Sequence, residues 1–122
     1  MDKLGLGRKM ERLVMKRWEW NGFRCWQPPR AKYYSQDVFE LFDFIAVKPW
    51  CPVNLVQVKR HRAGEAAVAL DAIKAFAELY HAPIRPFVVL WRKERRTERI
   101  SFKAWSYGLT GWFDAGEWTA MP

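Results

Sequence analysis

The sequence predicts an α/β domain in which helices sandwich a mixed sheet. Three observations point there. Amphipathic helical periodicity opens the chain and returns after residue 64, runs rich in β-branched and aromatic residues fill the rest, and the elements read in the order α-β-β-β-α-β-β. With 122 residues, the chain is read as one domain, 1–122, long enough for a single proper core. Half of the residues are hydrophobic and 16% are aromatic, which excludes disorder as the default reading.

From about Gly5 to Trp20 the pattern is helical. At about 100° per residue, Leu6, Leu13, Met10, Val14, Trp18 and Met15 form one continuous apolar arc. Lys9, Arg12, Lys16 and Glu19 take the other side, and Asn21-Gly22 ends the helix with a glycine suited to the left-handed position. Glu11 breaks this wheel by lying inside the apolar arc. Either its carboxylate pairs with Arg8 at the edge, or the helix delivers a carboxylate to a site at its packed face. The helix alone leaves both open.

Phe23 to Gln27 is a short strand candidate closed by Pro28-Pro29. Arg30 to Asp37 then interleaves basic and aromatic residues in a loop, a composition that suits surface packing and also nucleic-acid backbone and bases. Leu41 to Lys59 organises the rest. The runs FDFIAV and VNLVQVK flank the breaker cluster Lys48-Pro49-Trp50-Cys51-Pro52, which predicts two antiparallel strands with a tight connection. Both runs are apolar on both faces, so the hairpin is expected to be central and covered on each side. Asp43, Gln57 and Lys59 are the exceptions. Gln57 and Lys59 share a face by alternation, and a turn centred near Trp50 and Cys51 puts Asp43 level with Gln57 and Val58. Burying that trio costs several kcal/mol unless the groups satisfy one another or bind something.

Arg60 to Gly64 reads as an exposed basic turn. A second helix is expected from about Glu65 to His81, with Ala69, Ile73, Phe76, Ala77 and Tyr80 as its apolar stripe. Pro83 and Pro86 force an extended chain into a strand at Phe87 to Trp91. Arg92 to Arg99 reads as a solvated hairpin tip, and Ile100 to Trp105 as the last strand. The tail carries Gly108, Gly111, Trp112, Phe113 and Trp118, and is expected to fold back rather than fray.

The 21 Lys and Arg against 13 Asp and Glu leave a net charge of +8, a footprint suited to a polyanion. Cys25, Cys51 and the two histidines lack the spacing of a zinc site, and a reduced intracellular protein is the simplest reading. No apolar run approaches the roughly 20 residues of a membrane span, and the N-terminus lacks the apolar core of a secretion signal. The expectation is a soluble protein in the cytoplasm of its cell or of a phage-infected host.

Glu11 on the first helix, Asp43 on the second strand and Gln57-x-Lys59 on the third stand in an order that resembles the PD-(D/E)xK, restriction-endonuclease-like nucleases. More narrowly, the chain resembles the archaeal-type Holliday junction resolvases, which phages also carry. The resemblance covers roughly residues 5 to 92. It includes Gly7-Arg8 and Glu11-Arg12, the Asn21-Gly22-Phe23 turn, the basic loop with Ser35, the Asp43 and Gln57-Val58-Lys59 strands, and the following helix. It implies a metal-dependent, structure-selective DNA endonuclease that resolves four-way junctions by paired phosphodiester cleavage. Such hydrolysis requires an activated water and a sink for charge on phosphate and leaving oxygens, and Mg2+, with Mn2+ able to substitute, supplies both through oxygen ligands.

By the same resemblance, Asp43 is the main metal ligand, joined by the Gln57 side-chain oxygen and the Val58 carbonyl. Glu11 completes the site directly or through water. Lys59 orients the attacking water or stabilises the transition state, and Ser35 lies near the scissile phosphate. Arg8, Arg12, Arg30, Lys32, Arg60 and Arg62 are the expected DNA phosphate contacts. A homodimer is implied, one site per cleaved strand, and Phe76, Tyr80 and the Trp-rich tail are either its interface or ordinary core. Recognition of branch shape rather than base sequence is expected.

The family usually carries Glu where Gln57 stands, and losing that charge should weaken metal affinity. Three other readings remain: a repair or restriction-like nuclease of the same fold, a catalytically silent nucleic-acid-binding module marked by Gln57, and a plain interaction protein. The purely structural alternative is a buried Asp43–Lys59 ion pair, with Gln57 bonded to backbone.

Overall fold

The computed structural model describes residues 3–29, 37–39, 41–62, 64–80 and 83–120. The chain runs α1 (Lys3–Trp20), β1 (Arg24–Trp26), β2 (Phe44–Val47), β3 (Val53–Arg60), α2 (Glu65–Leu79), β4 (Ile84–Lys93), β5 (Ile100–Gly108) and β6 (Gly111–Ala120). The expected order is therefore kept, with one strand added at the end. The six strands form one mixed sheet in sequence order. Every neighbouring pair is antiparallel except β3 and β4, which α2 connects as a parallel crossover.

Helix α1 forms where its wheel predicts. Met10, Val14 and Trp18 are buried against Phe44, Ala46, Val56, Phe87 and Val89, while Leu6, Leu13 and Met15 pack at the margin. Each fully buried side chain of this size contributes about 1.5–3 kcal/mol. The helix stops at Asn21-Gly22. Gly22 has φ 93°, and Gly22 N and Phe23 N donate to the Glu19 and Trp18 carbonyls.

The other face of the sheet carries α2, where Ile73 is buried with Val38, Phe42, Leu55, Val88 and Leu90. β2 and β3 thus contribute apolar residues to both layers, as their double-sided hydrophobicity predicts. α2 ends two residues earlier than expected: Tyr80 is already extended, and His81 lies outside the described residues. Phe76 is part-buried, 5.3 Å from Phe42 and 4.7 Å from Tyr80 between ring centroids, whereas Tyr80 itself is exposed.

The sequence reading stops the last strand at Trp105, but β5 continues to Gly108 and turns at once into β6. The tail folds back as a full edge strand, with Trp118 stacked on Phe102 and Trp112 edge-on to Tyr107. A bulge between Ala104 and Trp105 and a positive φ at Gly116 absorb its irregular alternation. The charged β4–β5 turn is solvated and organised by Glu94, which accepts from Thr97 and Ser101. Cys25 and Cys51 are both free thiols. Among the described residues, no helix is long and apolar enough to cross a membrane.

Candidate functional site

The site grows out of the way β2 begins. Phe44 pairs with Val56, so the hairpin is centred on Trp50 and Asp43 falls one step beyond, level with Gln57. Asp43 N donates to the Val56 carbonyl (2.8 Å), which continues the ladder. At the next position the side chain takes over: Val58 N donates to Asp43 Oδ2 at 2.6 Å. A carboxylate fills the place of a backbone acceptor, and Asp43 is fixed in the rim of the sheet between its two faces.

Glu11 reaches this rim from the α1 side. It is only 6% exposed, one turn from Val14 and adjacent to Met10 in the packed face, and its carboxyl is hydrogen-bonded to Asp43. α1 thus delivers the Glu11 carboxyl to a buried position beside Asp43. Burial pushes the Asp43 carboxyl up from an ordinary 3.8 to about 8, and the hydrogen bond and charge of Glu11 add to the rise. The Val58 amide acts in the opposite direction, and Asp37 raises the value slightly. Two carboxyls this close hold a proton between them or call for a cation.

Gln57 and Lys59 belong to the other face. Val56 belongs to the layer under α1 and Leu55 to the layer under α2, so alternation places Gln57 and Lys59 on the α2 face. Gln57 Oε1 is fully buried and has no hydrogen-bond partner among the described residues. Such an atom costs about 1–3 kcal/mol. Lys59 is exposed, and no ion pair joins it to Asp43. The purely structural alternative required both that pair and a backbone bond to Gln57, and neither forms.

The donor set is hard oxygen: two carboxyls and one orphaned amide oxygen, beside a lysine. These residues fit a magnesium-type cation, which takes oxygen ligands and keeps several waters. Among the described residues, however, no three of His, Cys, Asp and Glu come together.

The expected phosphate contacts are arranged around this rim. Arg8 and Arg12 flank Glu11 on α1, are exposed, and line a cleft of about 300 Å3 with Gln27, Pro28 and Pro29. Arg60 and Arg62 follow Lys59, both exposed, with the Arg60 guanidinium 5.3 Å from the Trp91 ring. Arg30, Lys32 and Ser35 lie outside the described residues.

Two features escaped the sequence reading. The Val58 N–H donates to Asp43, a contact separate from the carbonyl role that the resemblance implies. Asp37 influences Asp43 from the end of the basic loop, and its only sequence signal is a lone acid closing a loop that carries Arg30 and Lys32. No protein-family model, curated protein or solved structure matches the chain.

Proposed function

We propose that the protein is a metal-dependent, structure-selective DNA endonuclease that resolves four-way junctions, acting as a homodimer with one rim site per cleaved strand. The observation that carries this reading is the buried Glu11–Asp43 carboxyl pair, pinned to the Val58 amide next to the orphaned Gln57 oxygen. Asp43, Glu11 and Gln57 would hold Mg2+ or Mn2+. The bound ion would supply charge neutralisation at the phosphate and an acidified water. The chain's own groups do the rest. Val58 N–H fixes the orientation of the Asp43 carboxylate. Lys59, exposed beside Gln57, steers a scissile phosphate and stabilises the charge that develops on it. Arg8, Arg12, Arg60 and Arg62 hold flanking phosphates, and the net charge of +8 favours a polyanion generally.

A second reading has its own observation. With Gln57 neutral and no cluster of three acids among the described residues, the site suits a nucleic-acid-binding module without cleavage. One experiment separates the two: labelled four-way junction, linear duplex, flap and single strand are incubated with wild type and Asp43→Asn in magnesium or manganese. Paired symmetric nicks on the junction alone, lost in the variant, are expected. Tight binding with no nick in either metal would give the site to the silent module.

A further inference from the structure

The same face of the sheet carries a second polar feature, at the far end from the carboxyl pair. Between the last turn of α1 and strands β3, β4 and β6 opens a cleft of about 530 Å3. Arg17, Lys48 and Arg85 line it, and no carboxylate does. Three cations gathered without a counter-charge repel one another unless an anion joins them.

Two of the three are held in place. The Arg17 guanidinium sits 5.2 Å from the Trp118 ring and 5.5 Å from Trp20. Lys48 Nζ donates to the Asn21 carbonyl at 2.9 Å and lies 5.5 Å from the Phe23 ring. An ammonium has three donors, so Lys48 keeps capacity for a ligand. Arg85 is exposed, and its guanidinium makes no ion pair or side-chain hydrogen bond with any described residue. The floor is rigid. With its amide turned to satisfy both ends, buried Asn54 accepts from Trp18 Nε1 (2.9 Å) and donates to the Pro52 carbonyl (3.2 Å). At the mouth stands Phe113, 44% exposed and without a ring partner among the described residues.

We propose that this cleft binds one nucleotide of an unpaired nucleic-acid strand, its phosphate on Arg85 and Lys48 and its base stacked on Phe113. A free guanidinium beside a free aromatic face is the combination that holds single strands, because stacking accepts every base and the cations track the backbone. The position fits as well. Arg17 lies six residues beyond Glu11 on α1, about 9 Å. Asn54 lies four residues before Val58 on β3, about 13 Å. That separation equals about three or four stacked base steps, so a strand leaving the carboxyl pair along this face meets the cleft. The inference rests on the nucleic-acid half of the reading above and not on its cleavage half.

The test uses the whole protein in EDTA, with fluorescein-labelled oligothymidylate and fluorescence anisotropy over a range of salt. Arg85→Glu should weaken binding about tenfold or more and lower the salt slope by about one phosphate contact. Phe113→Ala should weaken it about tenfold without changing the slope. Arg96→Glu, the same charge change on the distant β4–β5 turn, should have little effect. Equal losses for Arg85→Glu and Arg96→Glu would reduce the effect to overall charge and overturn the proposal, and so would wild-type affinity in Phe113→Ala. Displacement by inorganic pyrophosphate or a phosphorylated peptide at concentrations matching the oligonucleotide would also overturn it. Because no metal is present, an inactive rim site leaves these readouts intact: loss of junction cleavage alone counts against the rim, and loss of Arg85 dependence alone counts against the cleft.

Discussion

The two ends of the β2–β3 hairpin are made from the same pair of strands and treat their polar groups in opposite ways. At the turn end, Cys51 N donates to the Lys48 carbonyl, Lys48 reaches the Asn21 carbonyl, and Asn54 is satisfied on both sides. At the rim end, two carboxyls share a hydrogen bond, one of them replaces a backbone acceptor, and the Gln57 oxygen has no partner among the described residues. The apolar packing is continuous between the two. Buried polar groups are ordinarily satisfied, so a cluster that concentrates the exceptions at one end of a well-packed hairpin marks that end as built for something other than stability. The turn end shows that the same strands can satisfy their buried polar groups from within the protein.

The sharpest way to break this comparison is Asp43→Asn. The amide can still hydrogen-bond Glu11 and accept from Val58, so the fold should survive. On the proposed reading junction cleavage should fall about a hundredfold or more, because the residue proposed to hold the metal loses its charge. Time courses on the four-way junction would read this directly. Activity within threefold of wild type would remove the rim from the chemistry.

A pH titration of stability without metal comes next. The folded Asp43 carboxyl lies at about 8, above its ordinary 3.8, so the folded state binds the proton more tightly than the unfolded chain does. Its contribution to stability is complete below about pH 4 and is lost progressively as pH rises to and through about 8. The melting temperature in EDTA should therefore fall between pH 5 and pH 8.5. Asp43→Asn should flatten that fall, and magnesium at pH 8.5 should recover part of it by binding the folded state. A wild-type curve as flat as that of the variant would mean the carboxyl pair carries no shared proton.

Gln57 offers a smaller but more discriminating change. Gln57→Leu removes the orphaned oxygen while keeping volume, so the metal-free protein should be as stable as wild type or about 1 kcal/mol more so. The gain in melting temperature on adding magnesium should shrink. Gln57→Glu should do the reverse at pH 8, weakening the metal-free protein and enlarging the magnesium gain. Identical magnesium responses in all three proteins would place Gln57 outside the ligand set.

How much of this was legible beforehand depended on whether a feature follows from local order or from register. The α1 wheel located Met10, Val14 and Trp18 and singled out Glu11, because one helical period fixes a face. The hairpin register followed from the breaker cluster, and it brought Asp43 level with Gln57. β6 was read only as a tail that folds back, since Gly111, Gly116 and the bulge opposite Gly116 interrupt its alternation. The Arg17–Lys48–Arg85 cleft left no trace in the sequence. Its cations come from a helix end, a turn and a strand start, and only the packing of α1 across β3 and β4 brings them together. The role of the Val58 amide was hidden for a related reason: whether a carboxylate or a carbonyl completes a ladder is decided by where the neighbouring strand begins.

The smallest effect tests the turn end. Trp50 has φ 67°, following Pro49 in a turn closed by the Cys51 N to Lys48 O bond of 3.1 Å. That is the type II pattern, whose third residue favours glycine. Holding an L residue in the left-handed region costs roughly 1–2 kcal/mol, and glycine's extra freedom in the unfolded chain returns about 0.5–1 of that. The indole is fully exposed, so Trp50→Gly removes no burial. The variant should be stabilised by about 0.5–1 kcal/mol, a rise of a few degrees in melting temperature, about 4 °C at most. On the proposed reading its junction cleavage should match wild type, because the strain sits at the end of the hairpin away from the proposed metal site. A loss of stability would mean the indole holds the turn. A loss of cleavage with stability gained would give the turn end a part in cleavage itself, and the contrast drawn between the two ends would no longer hold.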